Sequence, residues 1–149
     1  MTDRGEFTYR RVHRASRELL FDCMTLPEHL THFWGHAGTR TPADQITVDL
    51  RPGGTFRTVM VNEADGSQYA MRAVYLEVRR PERLVWTEPG VEGGMTTTIT
   101  FVERGNGEAE VITHQTNVPA AFADPEARKG FETSLSRFAG YVAALEPPA

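Results

Sequence analysis

Apolar and polar positions change their period several times along this chain, and each change predicts an element. In Glu6–His13, Phe7 and Tyr9 alternate with polar neighbours, the period of a strand. Ser16 then reads as a helix N-cap whose hydroxyl can accept from the free amides of the first turn. Glu18 suits the positive end of the helix dipole ahead of Leu19, Leu20 and Phe21. A second short helix is predicted at once, because Thr25 and Glu28 have capping-box spacing and Pro27 sits where its missing amide costs nothing. Leu26, Leu30, Phe33 and Trp34 share a face of it, and Gly35 and Gly38 end it. From Asp44 the period becomes two, with Ile46, Val48 and Leu50 on one face and Thr47 and Asp49 on the other. The turn Arg51-Pro52-Gly53-Gly54 leads into a strand over Thr55–Val61, and Asp65-Gly66 is the next turn. The strand Ser67–Val78 begins with Tyr69, Met71 and Ala73 as its apolar face but ends with Val74, Leu76 and Val78. That flip predicts a β-bulge near Ala73–Tyr75. Pro81-Glu82 turns the chain into Leu84, Val85 and Trp86, and the polar break Glu88–Gly94 is expected at the mouth of a site. Thr96–Val102 and Ala109–Asn117 form a hairpin across Gly105-Asn106-Gly107. Finally, Asp124 caps a helix with Pro125 in its first position and Phe131, Leu135, Phe138, Val142 and Leu145 in one stripe.

The order is strand, two short helices, about six antiparallel strands and a long amphipathic helix. This is α+β, since no βαβ units occur. At 149 residues, 40% hydrophobic and 24% charged, the chain is expected to be one domain, 1–149, with an ordered core of about 6–145 and loose ends at Met1–Gly5 and Glu146–Ala149. Its one cysteine excludes an internal disulfide and a multi-cysteine zinc module. A net charge of −4 argues against a nucleic-acid binder, and the cluster Arg10, Arg11, His13, Arg14 and Arg17 reads as a solvated surface. No apolar window reaches the ~18–20 residues of a membrane span, and the N-terminus lacks a signal peptide's apolar centre. A cytoplasmic protein is expected.

Candidate chemistry is sparse. His29, His32 and His36 have partial metal-ligand spacing, but His36 lies beyond Gly35 and no carboxylate completes a set, so surface histidines are expected. Cys23 reads as a packed thiol within an apolar helix. Trp34, Phe56, Tyr69, Met71, Trp86, Phe101 and Phe131 supply large apolar area, either core or pocket wall. The interleaved small or polar residues Thr58, Ala73, Thr97, Thr113, Gln115 and Ser134 leave volume on the same inferred faces. The candidate ligand-binding set is Trp34, Phe56, Met60, Tyr69, Met71, Trp86, Ile99, Thr113, Gln115, Phe131, Ser134 and Leu135. Tyr69, Arg72 and Gln115 could polarise a carbonyl, whereas strand parity turns His114 outward when Val111, Thr113 and Gln115 point in. With no nucleophile elbow, catalytic triad or phosphate-binding loop, no catalytic residue, metal or cofactor is predicted.

The segments Asp49-Leu50-Arg51-Pro52-Gly53-Gly54-Thr55-Phe56 and Pro81-Glu82-Arg83-Leu84-Val85-Trp86-Thr87 resemble the SRPBCC superfamily, the START-like or birch-pollen-allergen-like helix-grip fold. The similarity is greatest to the branch named after the activator of the ninety-kilodalton heat-shock chaperone ATPase. Phe21, the run Leu26-Pro27-Glu28-His29-Leu30 before Phe33-Trp34-Gly35, and the closing helix agree with it. The resemblance implies a curved antiparallel sheet of about seven strands gripping the last helix around a cavity that, in many members, holds an apolar or aromatic molecule. Relatives include carriers, polyketide cyclases and aromatases, resistance proteins and co-chaperone domains, so the fold does not choose among them. Ala73 stands where the branch often has glycine, and Gln115 where it is expected to have histidine. The expected function is binding of a small apolar or aromatic molecule without encoded catalysis. A polyketide cyclase or aromatase and a co-chaperone-like interaction module are the alternatives. No nucleic acid or membrane partner is expected, and a homodimer is compatible with the sequence.

Overall fold

Eight antiparallel strands form one curved sheet: β1 (Gly5–His13), β2 (Thr39–Arg40), β3 (Thr47–Val48), β4 (Thr55–Asn62), β5 (Gln68–Arg79), β6 (Arg83–Glu88), β7 (Met95–Gly105) and β8 (Glu108–Val118). The structure, a computed structural model, describes residues 5–91 and 94–145. The predicted loose ends other than Gly5, and positions 92 and 93 of the predicted mouth loop, lie outside the described residues. The order across the sheet is β1-β8-β7-β6-β5-β4-β2, with β3 also on β4. Consecutive strands β4 to β8 pair as hairpins, and β1 closes the far edge against β8. The helices are α1 (Arg17–Cys23), α2 (Pro27–Leu30), α3 (Ala120–Ala123) and α4 (Pro125–Leu145).

Several local signals act as their chemistry dictates. Ser16 Oγ accepts from the Leu19 amide at 3.1 Å, and Asp124 Oδ1 accepts from the Ala127 amide at 2.9 Å, starting α4 beside Pro125. Gly54 cannot be replaced without moving backbone, since a Cβ there would lie 2.0 Å from the Asp49 carbonyl oxygen. The core joins Leu20 and Phe21 of α1, Leu30, Phe33, Phe56, Tyr75, Leu84 and Phe101 to Phe138 and Val142 of α4. Burying each large side chain contributes roughly 1.5–3 kcal/mol.

Other expectations are corrected. Thr25 is not a cap: its buried hydroxyl donates to the Phe21 carbonyl at 3.0 Å, finishing α1, and Leu26 takes the cap position of α2 without a side-chain bond. α2 is one turn, so Phe33 and Trp34 lie on the turn after it. The strand expected from Asp44 is only Thr47–Val48, preceded by a 3-10 turn at Ala43–Gln45, and Leu50 is exposed where the Arg51 amide already bonds to the Asp49 carbonyl. The bulge lies between Tyr75 and Glu77 instead of at Ala73–Tyr75. Tyr75 therefore stays inside, stacked on Phe56 at 5.7 Å, and Leu76 is 53% exposed. Burying the larger aromatic ring decides which residue the bulge expels. In the basic cluster only His13 departs from the expected solvated surface, since Arg10 and Arg14 are exposed and Arg11 and Arg17 half-buried. His13 is buried edge-on to Phe138, while Arg10 and Arg104 both pair with the buried Glu110.

Candidate ligand site

The two halves of α4 meet different surroundings. In the C-terminal half, Phe138 packs edge-on against Phe33 at 4.9 Å and His13 at 5.2 Å, and Val142 is buried. In the N-terminal half, Phe131, Ser134 and Leu135 are only partly buried, because they face a pocket of about 690 Å³, partly open to solvent, between the helix and the concave sheet.

Sheet register builds its floor. Trp86 on β6 pairs with Thr97 on β7, Thr97 with Gln115 on β8, and Gln115 with Phe7 on β1. The next inward row runs Leu84, Ile99, Thr113, Tyr9. Successive side chains alternate faces, so His114 points outward and meets the Glu6 carboxylate at 2.5 Å. The side wall is Trp34, whose indole N–H donates to the buried Thr58 hydroxyl at 3.1 Å and whose carbonyl accepts from the Thr41 hydroxyl at 2.9 Å. The loop after it is tied to α4: Arg137 donates to the Gly35 and His36 carbonyls at 2.9 and 2.8 Å, and the Ala37 amide donates to Thr133 Oγ1 at 3.0 Å. Gly35 has φ +100°, and a Cβ on it would sit 2.6 Å from Thr39 Oγ1 and 2.9 Å from Met60 Sδ.

Of the candidate residues, Trp34, Met60, Tyr69, Met71, Trp86, Ile99, Thr113, Gln115, Phe131, Ser134 and Leu135 all line this pocket. Phe56 does not. It is fully buried behind the wall, edge-on to Trp34 at 5.2 Å and Trp86 at 5.3 Å. Arg72 is exposed, turned away between inward Met71 and Ala73, so it cannot polarise a carbonyl inside.

Sequence reasoning missed Met24, Met95, Glu88 and Arg128 as lining residues. With Met60 and Met71, the first two place every methionine of the described residues on the pocket wall. Glu88 is 8% exposed, and no hydrogen bond or ion pair reaches its carboxyl among the described residues. Burial pushes its pKa up to about 7. Burial and then the Glu88 charge raise the neighbouring Tyr69 hydroxyl. Arg128 donates through Nη1 to Gln115 Oε1 at 3.0 Å and Tyr9 Oη at 3.3 Å, and through Nε to the Phe122 carbonyl at 3.0 Å. Its guanidinium lies 4.3 Å from the Phe7 ring centre. Glu88 follows Leu84 and Trp86 at period two, and Arg128 precedes Phe131 and Leu135 at helical spacing, so both were findable by phase. Their charge is what made them read as surface.

The histidines are apart from this site except His36, which lines its rim. His29 Nδ1 lies 2.5 Å from the Tyr141 hydroxyl, and the His32 ring stacks on Tyr141 at 5.3 Å. Among the described residues, no group of three or more His, Cys, Asp or Glu could hold a metal. Burial, then the charge of Asp22, pushes the Cys23 thiol up to about 11, which makes it a poor nucleophile.

Over residues 14–143 the sequence matches the family described as Activator of Hsp90 ATPase homolog 1-like protein. The chain belongs to that family. The family is of SRPBCC type, and the curved antiparallel sheet around the last helix is its helix-grip fold. A crystal structure of a protein from Chromobacterium violaceum is 26% identical, with 97% of this chain and 99% of that one covered at a TM-score of 0.83. One from Silicibacter pomeroyi is 21% identical, covering 95% and 100%, with a TM-score of 0.78. One from Mycobacterium smegmatis is 19% identical, covering 95% and 92%, with a TM-score of 0.76. The last two are similar in fold alone. No curated protein matches the sequence. Among the described residues of this family member, no helix is long and apolar enough to cross a membrane.

Proposed function

We propose that this protein binds a small, largely apolar molecule, aromatic by preference, between the sheet and the N-terminal half of α4. The observation that carries this reading is the half of the α4 stripe that faces open volume instead of protein, about 690 Å³ of it. Pockets for small molecules commonly run ~300–1,000 Å³ with apolar walls and few polar groups. The methionines add polarisable walls that can adapt to more than one outline. Both tryptophans line the pocket. A neutral naphthalene probe should therefore quench their emission saturably, with micromolar affinity, about −8 kcal/mol. Quenching that never saturates would reject the reading.

A polyketide cyclase or aromatase is the second reading, favoured by Glu88. A carboxyl that titrates near neutrality beside an apolar pocket can exchange a proton with a bound β-ketone. Deuterium exchange at the α-carbon of a β-ketone analogue, dependent on Glu88, would support it; exchange at the solvent rate would remove it. The chaperone activation in the family's description gains no such support. The exposed large apolar side chains Val12, Leu26, Leu50, Tyr69 and Leu76 are spread over four segments of the chain.

A further inference from the structure

Glu88 ends β6, in phase with Trp86 and facing the pocket, with Met95 as its cross-strand partner. It is more than nine-tenths buried, and among the described residues its carboxyl has no hydrogen-bond or ion-pair partner. A buried carboxyl in that state costs stability until a donor reaches it. The other titratable or charged groups on the pocket are His36, Tyr69, Glu126 and Arg128. Arg128 does not serve as the counter-charge. It is bonded to Gln115 on β8, two strands from β6, a separation of roughly 10 Å. Its Nε and Nη1 are already engaged by neutral acceptors. Among the described residues Glu88 is therefore the buried charged group of the pocket that lacks a partner, whereas Glu126, the other carboxylate bordering it, is exposed to solvent. Trp86, Tyr69 and Trp34 line the same wall beside Glu88 with aromatic rings, which attract a cation.

We propose that the pocket selects apolar amines, the protonated nitrogen docking on the Glu88 carboxylate and the apolar body lying between the tryptophans and the N-terminal half of α4. This deepens the small-molecule reading and rests on it. An ammonium supplies both the donor and the charge that the carboxyl lacks, and a charge-assisted bond is about twice as strong as a neutral one. Docking requires the ionised acid, so an amine must release the proton that burial retains on Glu88 up to about pH 7. Amine affinity should accordingly rise from about pH 6 to about pH 8.5, while that of a neutral molecule stays flat.

Three probes of similar outline separate the outcomes by tryptophan quenching: naphthylethylamine, naphthylethanol and naphthylacetate. At about pH 8 the amine should bind about tenfold tighter than the alcohol. Glu88→Gln should erase that advantage, so that amine and alcohol bind alike. In the unsubstituted protein the ratio of amine to alcohol affinity should fall toward one by about pH 5.5, a measurement that stands even if Glu88→Gln folds poorly. Equal binding of amine and alcohol, or tightest binding by the carboxylate, would overturn the amine assignment and leave the pocket reading standing. Saturable binding by none of the three would reject both.

Discussion

Glu88 couples one side chain to the stability of the fold. Its pKa is raised by burial, from 4.5 to about 7, so the folded protein holds a proton that the unfolded chain gives up. Its favourable contribution is fully present below the unfolded value and is lost as pH rises through the folded one. Glu88→Gln, which cannot ionise, should therefore melt higher than the parent by an amount that grows between about pH 4.5 and pH 7 and levels off above, up to roughly 3 kcal/mol. Thermal melts across that range would show it; a difference independent of pH would mean the carboxyl is not desolvated. Glu110 behaves oppositely. The hydrogen bond from Arg10, aided by Arg104, holds its carboxyl below the usual range, so its contribution fades on acidification.

At the scale of the element, α4 does two jobs along one stripe. Phe138 is enclosed by His13 and Phe33, so Phe138→Ala should cost about 3–5 kcal/mol, as for other filled core sites. Phe131 touches Tyr9 and Arg128 but opens onto the pocket, so Phe131→Ala should cost less than about half as much and weaken probe binding. Denaturant midpoints of the two variants make the comparison, and equal costs would mean that both halves are core. The helix start is a third point of leverage. Removing the cap with Asp124→Ala should lower stability by about 1 kcal/mol, read from the same midpoints.

At the scale of the whole molecule, the consequence of an unfilled half-groove is that adding volume there should do no harm. Ser134→Leu places a larger apolar side chain into the pocket. The melting temperature should hold or rise while probe affinity falls. A filled core given the same change would be overpacked and lose ~1–3 kcal/mol. For a pocket the melting temperature holds or rises while saturable quenching weakens; for a filled core the melting temperature falls and the parent protein shows no saturable quenching to lose.

What the sequence alone determined was phase. The order of elements, the stripe on α4, the cap at Asp124, and the inward set Thr113 and Gln115 with His114 outward were all legible, because strand and helix periods are local properties of the backbone. Tertiary structure decided what stands opposite each face. Phe131 and Phe138 belong to one stripe and read alike, yet Phe131 stays partly exposed on open volume, while Phe138, which also borders the pocket, is buried between two aromatic rings. Phe56 has the same inward phase as pocket residues but lies behind Trp34 and Trp86. Thr25 had cap spacing, but the end of α1 claimed its hydroxyl first. The bulge moved past Tyr75 because Phe56 and Trp86 were there to bury its ring. Glu88 and Arg128 carried charges that locally predict solvent, and only the curl of the sheet over α4 brought them inside. A cavity is the difference between the space enclosed and the side-chain volume filling it, and the enclosed space is set by the curvature of all the strands together.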